Sequence, residues 1–379
     1  MAYVAVHNIF SPLGTTSGAT FAAVAAGRSA VKQYAGIFPG DGPVWAARLP
    51  AGWDQAFPTA NTGFSPFERL LIASISDAVA QVDVNLASGR TVFVFATTKG
   101  NIGLLDEAPE VGPALLRRLS LAASAQAVAR YFGSPNTPVV VSNACISGVA
   151  ALLVAQRLLA GGQYDTAVVA GADTVSRFVL SGFQAFQALS AGPCKPFSED
   201  RDGINLGEAA ATIILTAQPP AGAGPVVRLA GGAISNDANH ISGPSRTGAE
   251  LAQAIDQALG ASRLAAADVN FISAHGTATP YNDAMEAKAF ALSGVQARPV
   301  HSVKGALGHT LGAAGLLESV LSIMSLTEGC LLPTAGYLQP MQPEALQIAT
   351  VARPAKLRVA LKTASGFGGC NGALVFEKL

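Results

Sequence analysis

Four side chains lie where they can do chemistry together: a cysteine, two histidines and a lysine. Cys145 belongs to Val139-Val-Val-Ser-Asn-Ala-Cys-Ile-Ser-Gly148. The three valines predict a short buried strand. Val149–Ala160 is apolar nearly all round, which predicts a helix buried inside a domain. Cys145 then sits on the strand-to-helix turn. The positive end of the helix dipole favours an anion there and makes the thiolate accessible near neutral pH. The other reading of such a residue is a small core hydrophobe, because free cysteine is among the most buried types.

His275 lies in Ser273-Ala-His-Gly-Thr-Ala-Thr279, at the tip of a strand, where it is either a reactive imidazole or a satisfied core histidine. Lys304 and His309 share one short glycine-rich loop, whose small residues let backbone and ligand approach closely. Gly-Lys-Ser/Thr is missing from that loop, so it is not a phosphate loop of the P-loop kind. Asp283 and Glu286, three apart, fall on one face of the following helix. They either hold Lys304 or form a solvated acidic face. The turn Gly366-Phe-Gly-Gly offers backbone N–H groups to an oxyanion, or is an ordinary hairpin turn. Cys194, Cys330, Cys370, His7, His240 and His301 take structural readings.

The elements that must position these residues alternate. Strands are predicted at Tyr3–Ile9, Arg90–Ala96, Thr166–Ala172, Ala209–Leu215, Val226–Gly231, from Phe271, at Arg358–Thr363 and at Ala373–Phe376. Helices are predicted at Gly18–Gly27, Pro66–Val82, Leu115–Tyr131, Ala249–Leu259, Met285–Ala291 and Leu311–Leu326. Residues 31–65 and 190–208 read as irregular. The class is α/β. Gln218-Pro-Pro-Ala-Gly-Ala-Gly-Pro225 reads as a connection between two halves, 1–220 and 221–379. A reactive residue caps a buried strand in each half, which suggests a duplicated fold with one site between the halves.

The 379 residues are 50% hydrophobic and only 13% charged, so much of the chain is interior and an oligomer is expected. Net charge is zero, which argues against nucleic-acid binding. The start has no basic region ahead of an apolar run and does not read as a signal peptide. No membrane span is expected, and Cys145–Gly162 reads as a core helix. Four scattered cysteines suggest neither zinc nor a disulfide framework, so a cytoplasmic location is expected.

Taken together and in this order, the motifs resemble the condensing enzymes of the thiolase superfamily, and among them the elongating β-ketoacyl-acyl-carrier-protein synthases. The matching segments are Ser-Asn-Ala-Cys145-Ile-Ser-Gly, Pro193–Glu208, Ala274-His275-Gly-Thr-Ala-Thr-Pro with Asp283 and Glu286, Lys304 with Gly308–Gly315, and Gly366-Phe367-Gly-Gly-Cys-Asn-Gly. The resemblance implies a thiolase-like, duplicated five-layered αβαβα fold. It implies Cys145 as acyl acceptor and His275 with His309 as the pair that drives malonyl decarboxylation. Lys304, held by Asp283 or Glu286, would order the site. The N–H groups of Cys145 and Phe367 would form the oxyanion hole, with Phe367 also a gate. Thr277 and Thr279 match contacts to a pantetheine arm, and Phe183 and Gly368 join the substrate-binding set. The implied reaction is decarboxylating Claisen condensation with malonyl-acyl carrier protein, without metal or organic cofactor. The implied partners are acyl- and malonyl-loaded carrier protein and a second copy, or a related synthase in a heterodimer.

The chain also departs from that pattern. The region between Gly100 and Tyr131 is abbreviated. Phe64–Leu71 lacks the basic cluster used to hold carrier protein, leaving Arg117 and Arg118, helped by Arg69 and Arg201, as the expected docking charges. Gly-Gly-Cys-Asn replaces the usual Gly-Gly-Thr-Asn. Phe95–Ile102 is similar to synthases of aryl-polyene and flexirubin-like pigment clusters. Two rivals are a degradative thiolase, which would want Gly-His-Pro where this chain has Gly308-His-Thr, and a non-catalytic chain-length-factor-like subunit, which would lose the nucleophile.

Overall fold

The computed structural model describes every residue except Met1, Pro39, Asp41, 56–62, Pro109, Ala223, His240 and Glu344. Eleven strands form one continuous sheet. Along the first half of the chain, Val139–Val141, Thr91–Ala96 and Thr166–Asp173 run parallel, followed by antiparallel Ala209–Thr216 and Ala2–Phe10. The second half repeats the pattern. Pro299–His301, Phe271–Ser273 and Val359–Gly366 are parallel, followed by antiparallel Cys370–Lys378 and Val227–Asn236. The two sets meet where Ala2 and Tyr3 pair Leu229 and Arg228.

Both faces of each set are buried, so the strands are apolar throughout and alternate residues serve different cores. Phe93 and Phe95 pack outward with the helices Pro66–Val79 and Leu121–Tyr131. Val92 and Val94 face inward onto Ser147–Ala160 and Ala314–Glu328. In the second half Ala360 and Ala364 face those same two helices, while Val359 and Leu361 pack on Ala249–Ser262 and Pro280–Leu292. Outer helices, strands, central helices, strands and outer helices make the five layers.

The two central helices cross with almost no space between them. A Cβ on Gly148 would stand 2.4 Å from Leu316 N, and one on Gly315 would stand 2.9 Å from Val149 N. This contact brings the starts of both helices, and the loops before them, to one place. Leu311–Glu328 is long and apolar enough to cross a membrane, which the sequence reading did not anticipate. Its window is 89% buried, as the core helix of a folded domain requires.

Several element boundaries differ from expectation. Leu115–Tyr131 is two helices, Pro113–Leu119 and Leu121–Tyr131, because Ser120 is extended at ψ 123°. The stretch read as irregular from residue 31 holds two paired strands, Lys32–Tyr34 and Val44–Ala47, and Val44–Ala47 also pairs Leu206–Gly207 in the second irregular stretch. A helix at Arg177–Ala185, capped by Ser176, was not foreseen. Val179, Leu180 and Phe183 form its apolar face and pack into a small separate cluster, a short helical spacing that the sequence reading passed over.

Candidate active site

Cys145 stands between strand and helix on a strained turn. Ala144 adopts φ 44°, in the left-handed region that costs a residue bearing a Cβ. Ser147 holds the turn: its Oγ donates to Ala144 O at 2.6 Å and accepts from Asn143 N at 2.8 Å. The thiol then faces the loop before the other central helix, where His309 Nε2 is 3.0 Å from Sγ. Burial pushes the Cys145 thiol up to about 12, against the pull of the Lys304 ammonium. This corrects the expectation of an accessible thiolate. Desolvation outweighs the helix N-terminus, and the resting group is a neutral thiol that needs a proton acceptor at contact distance.

His309 and His275 are both buried, with ring centroids 5.2 Å apart and planes at 84°. Burial, reinforced by Lys304, holds both imidazoles well below their ordinary range. They are neutral at pH 7. Lys304 Nζ lies 3.2 Å from His275 Nδ1 and donates to His275 O at 2.6 Å. An ammonium has no acceptor, so Nδ1 accepts and the His275 proton sits on Nε2.

Lys304 is paired with Glu318, and this is a second correction. Neither Asp283 nor Glu286 holds the lysine. Glu286 accepts from the N–H groups of His275 at 2.8 Å and Gly276 at 2.6 Å, and from the Thr363 hydroxyl at 2.8 Å. Asp283 accepts from Phe197 N at 2.7 Å, and burial pushes its carboxyl up to about 7. The acidic face is thus fully interior and fixes the His275 turn and the Pro196–Phe197 loop. Glu318 was missed although it left a signal. It is the one charged residue in the predicted helix Leu311–Leu326, and a carboxylate among apolar neighbours must find a cation.

Cys145, His275 and His309 line one cavity of about 390 Å³ that also reaches Thr277, Thr279, Phe183 and Phe367. Ligand atoms of the three lie within 4.8 Å of one another, a spacing that a metal ion could bridge. The ammonium at 3.2 Å from His275 Nδ1 opposes a cation there, and the trio suits a nucleophile with one imidazole, His309, to take its proton and one, His275, set as a neutral donor.

The comparisons agree with this geometry. Residues 18–221 match the β-ketoacyl synthase N-terminal domain and residues 226–338 its C-terminal domain. The chain belongs to the β-ketoacyl synthase family. It is 28% identical over 405 aligned positions to 3-oxoacyl-[acyl-carrier-protein] synthase 2 of Vibrio cholerae, covering 98% of this chain and 97% of that one. It is 35% identical over 266 residues to the tetracenomycin polyketide synthase ketoacyl synthase alpha subunit of Streptomyces glaucescens, covering 66% of this chain and 62% of that one. Against several curated relatives at 32–35% identity the aligned stretch spans 60–66% of their length. Among solved structures, a ketosynthase in complex with its chain length factor from Xenorhabdus doucetiae superposes with a TM-score of 0.88 at 27% identity, covering 100% of this chain and 98% of that one.

Within this synthase fold the remaining expected residues divide. Phe367 is 37% exposed at the cavity mouth, stacked on Phe183 at 5.7 Å and edge-on to Phe186 at 5.3 Å. Phe186 was not foreseen as part of that aromatic set. The strand ahead of Phe367 presses on the nucleophile: a Cβ on Gly366 would stand 3.0 Å from Cys145 N. Thr277 and Thr279 lie side by side, their hydroxyls 2.8 Å apart. Gly368 does not line the cavity and instead donates its N–H to Ile241 O at 2.7 Å.

The arginines expected to dock a carrier protein are mostly occupied. Arg69 pairs with Asp54 at 2.5 Å. Arg201 donates to Ser198 O and Pro280 O, and its side chain is 9% exposed. Arg118 reaches Glu68 and Gly63 O. Neither Arg117 nor Arg118 lines the cavity, whose exposed rim carries Ile241, Tyr281 and Phe186. Cys194, Cys330 and Cys370 do not line it either. His7 bonds Ser17 Oγ and His301 packs on Phe271, both as structural residues. His240 lies outside the described residues.

Proposed function

We propose that the chain is a 3-oxoacyl-[acyl-carrier-protein] synthase that catalyses decarboxylating Claisen condensation of an acyl thioester with malonyl-acyl carrier protein. The observation that carries this reading is His275. With Lys304 occupying Nδ1, it can only donate, through Nε2, into the cavity that holds Cys145. A degradative thiolase needs a base to abstract a proton, and this imidazole is set as a donor. A chain-length-factor-like subunit has no use for a cysteine 3.0 Å from an imidazole.

In the first half-reaction the Cys145 sulfur attacks the acyl-carrier thioester. An S–C bond forms, the pantetheine C–S bond breaks, and the thiol proton passes through His309 Nε2 to the leaving sulfur. The N–H groups of Cys145 and Phe367 take the oxyanion. In the second, malonyl-carrier protein enters past Phe367, with its pantetheine arm along Thr277 and Thr279. The C–C bond to the carboxylate breaks, carbon dioxide leaves, and the electron pair becomes an enolate whose oxygen accepts from His275 Nε2–H and from His309, whose imidazole shifts its proton to Nε2 once the acylated sulfur no longer needs an acceptor there. Its carbon attacks the acyl-Cys145 carbonyl, the C–S bond breaks, and the cysteine leaves as thiolate and takes a proton from His309 Nε2, which solvent replaces.

Carrier protein is the proposed partner, with a second copy or a related synthase subunit completing a dimer. The test is purified protein alone with malonyl-carrier protein and an acyl-carrier primer. Release of carbon dioxide together with 3-oxoacyl product is expected. Product that forms with an added second synthase subunit and survives Cys145→Ala in this chain would assign this chain the partner role instead.

A further inference from the structure

We propose that Lys362 is a positioning residue of this site, a second buried ammonium that shares the Glu318 carboxylate with Lys304 and thereby fixes Lys304 and His275. Lys362 is fully buried on the strand Val359–Gly366. Its Nζ lies 2.7 Å from Glu318 Oε2, while Lys304 takes Oε1. It also donates towards Ser273 O at 3.1 Å, Ala274 O at 3.4 Å and Thr363 O. Ser273 and Ala274 are the two residues before His275, and Lys362 is five residues before Phe367 on one continuous chain. One ammonium therefore ties together the strand end that carries His275, the strand that leads to Phe367, and the helix whose carboxylate holds Lys304.

Stability alone does not call for this lysine. Lys304 and Glu318 balance each other, and burying a further ammonium costs desolvation that a methionine in the same space would avoid. What the extra charge supplies is orientation and positive potential. With Lys304 on one carboxylate oxygen and Lys362 at ion-pair distance from the other, Glu318 is held from both sides and so holds Lys304 beside His275 Nδ1.

The groups that face this cluster come from every element around it. They are His275 on its strand end, His301 on the neighbouring strand, His309 and Lys304 in the loop, Glu318 on the central helix, and Glu286 and Asp283 on the outer helix. Glu286 is already committed to two N–H groups and a hydroxyl. The Lys362 charge adds to burial and Lys304 in opposing protonation of His275 and His309.

This inference rests on the decarboxylation reading, and the parent protein tests that reading by itself. The variants Lys362→Met and Lys362→Arg test the inference, through malonyl decarboxylation measured across pH. For Lys362→Met, kcat is expected to fall about ten-fold or more with KM for malonyl-carrier protein little changed. The acid limb is expected to move to higher pH, because one fewer cation opposes imidazole protonation. Thermal unfolding should be no lower than in the parent, unlike the loss that a merely structural lysine would give. Lys362→Arg keeps the charge and should keep the parent pH profile. Titration of the imidazoles by NMR gives a readout that needs no turnover: His275 and His309 should protonate at higher pH in Lys362→Met. Should that variant not fold, Lys362→Gln carries the same expectations. A folded variant with decarboxylation within about two-fold of the parent and a superimposable pH profile overturns the proposal.

Discussion

The two sides of the cavity are built by different physics. On the Cys145 side no ion pair among the described residues holds the reactive group. The thiol is placed by backbone: Ala144 at positive φ, a serine that staples the turn, and Gly366 pressed against Cys145 N. On the His275 side a buried ionic cluster sets position and proton location alike, with Lys304 and Lys362 around Glu318. The nucleophile needs only to be held at the right distance from His309. Both imidazoles must also be held neutral, and His275 in one tautomer, and charges do that where shape cannot. Steric changes should therefore injure the first side, and charge changes the second.

The largest effect that separates the sides is expected from Cys145→Ala. Covalent acylation should vanish, by about three orders of magnitude or more, because among the described residues no other thiol lines the cavity. Malonyl decarboxylation should survive within about ten-fold, since Lys304 and not the thiol sets the His275 ring. Trapping of radiolabelled acyl groups and release of carbon dioxide measure the two. Equal loss of both would join what the comparison separates.

Glu318→Gln comes next. It leaves two buried ammonium groups without their anion, and breaking such a pair costs about 3–5 kcal/mol. A lowered thermal midpoint is expected together with a large loss of decarboxylation. Gly366→Ala is the matching steric change. Its Cβ meets Cys145 N and Ala144 Cβ at 3.0 Å each, an overpacking cost of about 1–3 kcal/mol. Acyl transfer should slow more than decarboxylation. If decarboxylation suffers more, the two walls are not independent.

The smallest effect expected is that of mild acid. Burial and Lys304 hold both imidazoles well below 6.5, so a fall in pH protonates them only beneath that value. The decarboxylation rate should stay level from pH 8 down to about 6.5 and fall only below it. Half-maximal loss at pH 7 would show that the cluster does not depress these groups.

How much of this was legible in the sequence follows the same division. Backbone-placed features could be read directly. The strand and helix around Cys145, the tip of the His275 strand and the glycine turn at Phe367 all announce themselves by local pattern. The ionic cluster could not be read, because its partners are far apart in sequence and the pairing is a tertiary fact. Asp283 and Glu286 looked right for Lys304 by proximity, yet Glu286 spends its oxygens on backbone N–H groups. Lys362 hides in a strand that both faces of the sheet bury. The thiol was misjudged for a related reason: a helix N-terminus is visible in sequence, whereas the depth of burial that outweighs it is not. The split at Ser120 was lost because it leaves no mark in the apolar pattern, whereas the helix at Arg177 carries a short stripe of Val179, Leu180 and Phe183 that was passed over.

The central claim is that donors fixed on the charged wall, not the thiol, remove carbon dioxide. Its most direct test is His275→Ala, with acylation of Cys145 and decarboxylation of malonyl-carrier protein measured on the same preparation and His309→Ala run beside it. His275→Ala should acylate near the parent rate and lose decarboxylation by about two orders of magnitude or more. His309→Ala should lose decarboxylation and also slow acylation, because its Nε2 is the proton acceptor 3.0 Å from the sulfur. A His275→Ala protein that releases carbon dioxide at near the parent rate would contradict the account.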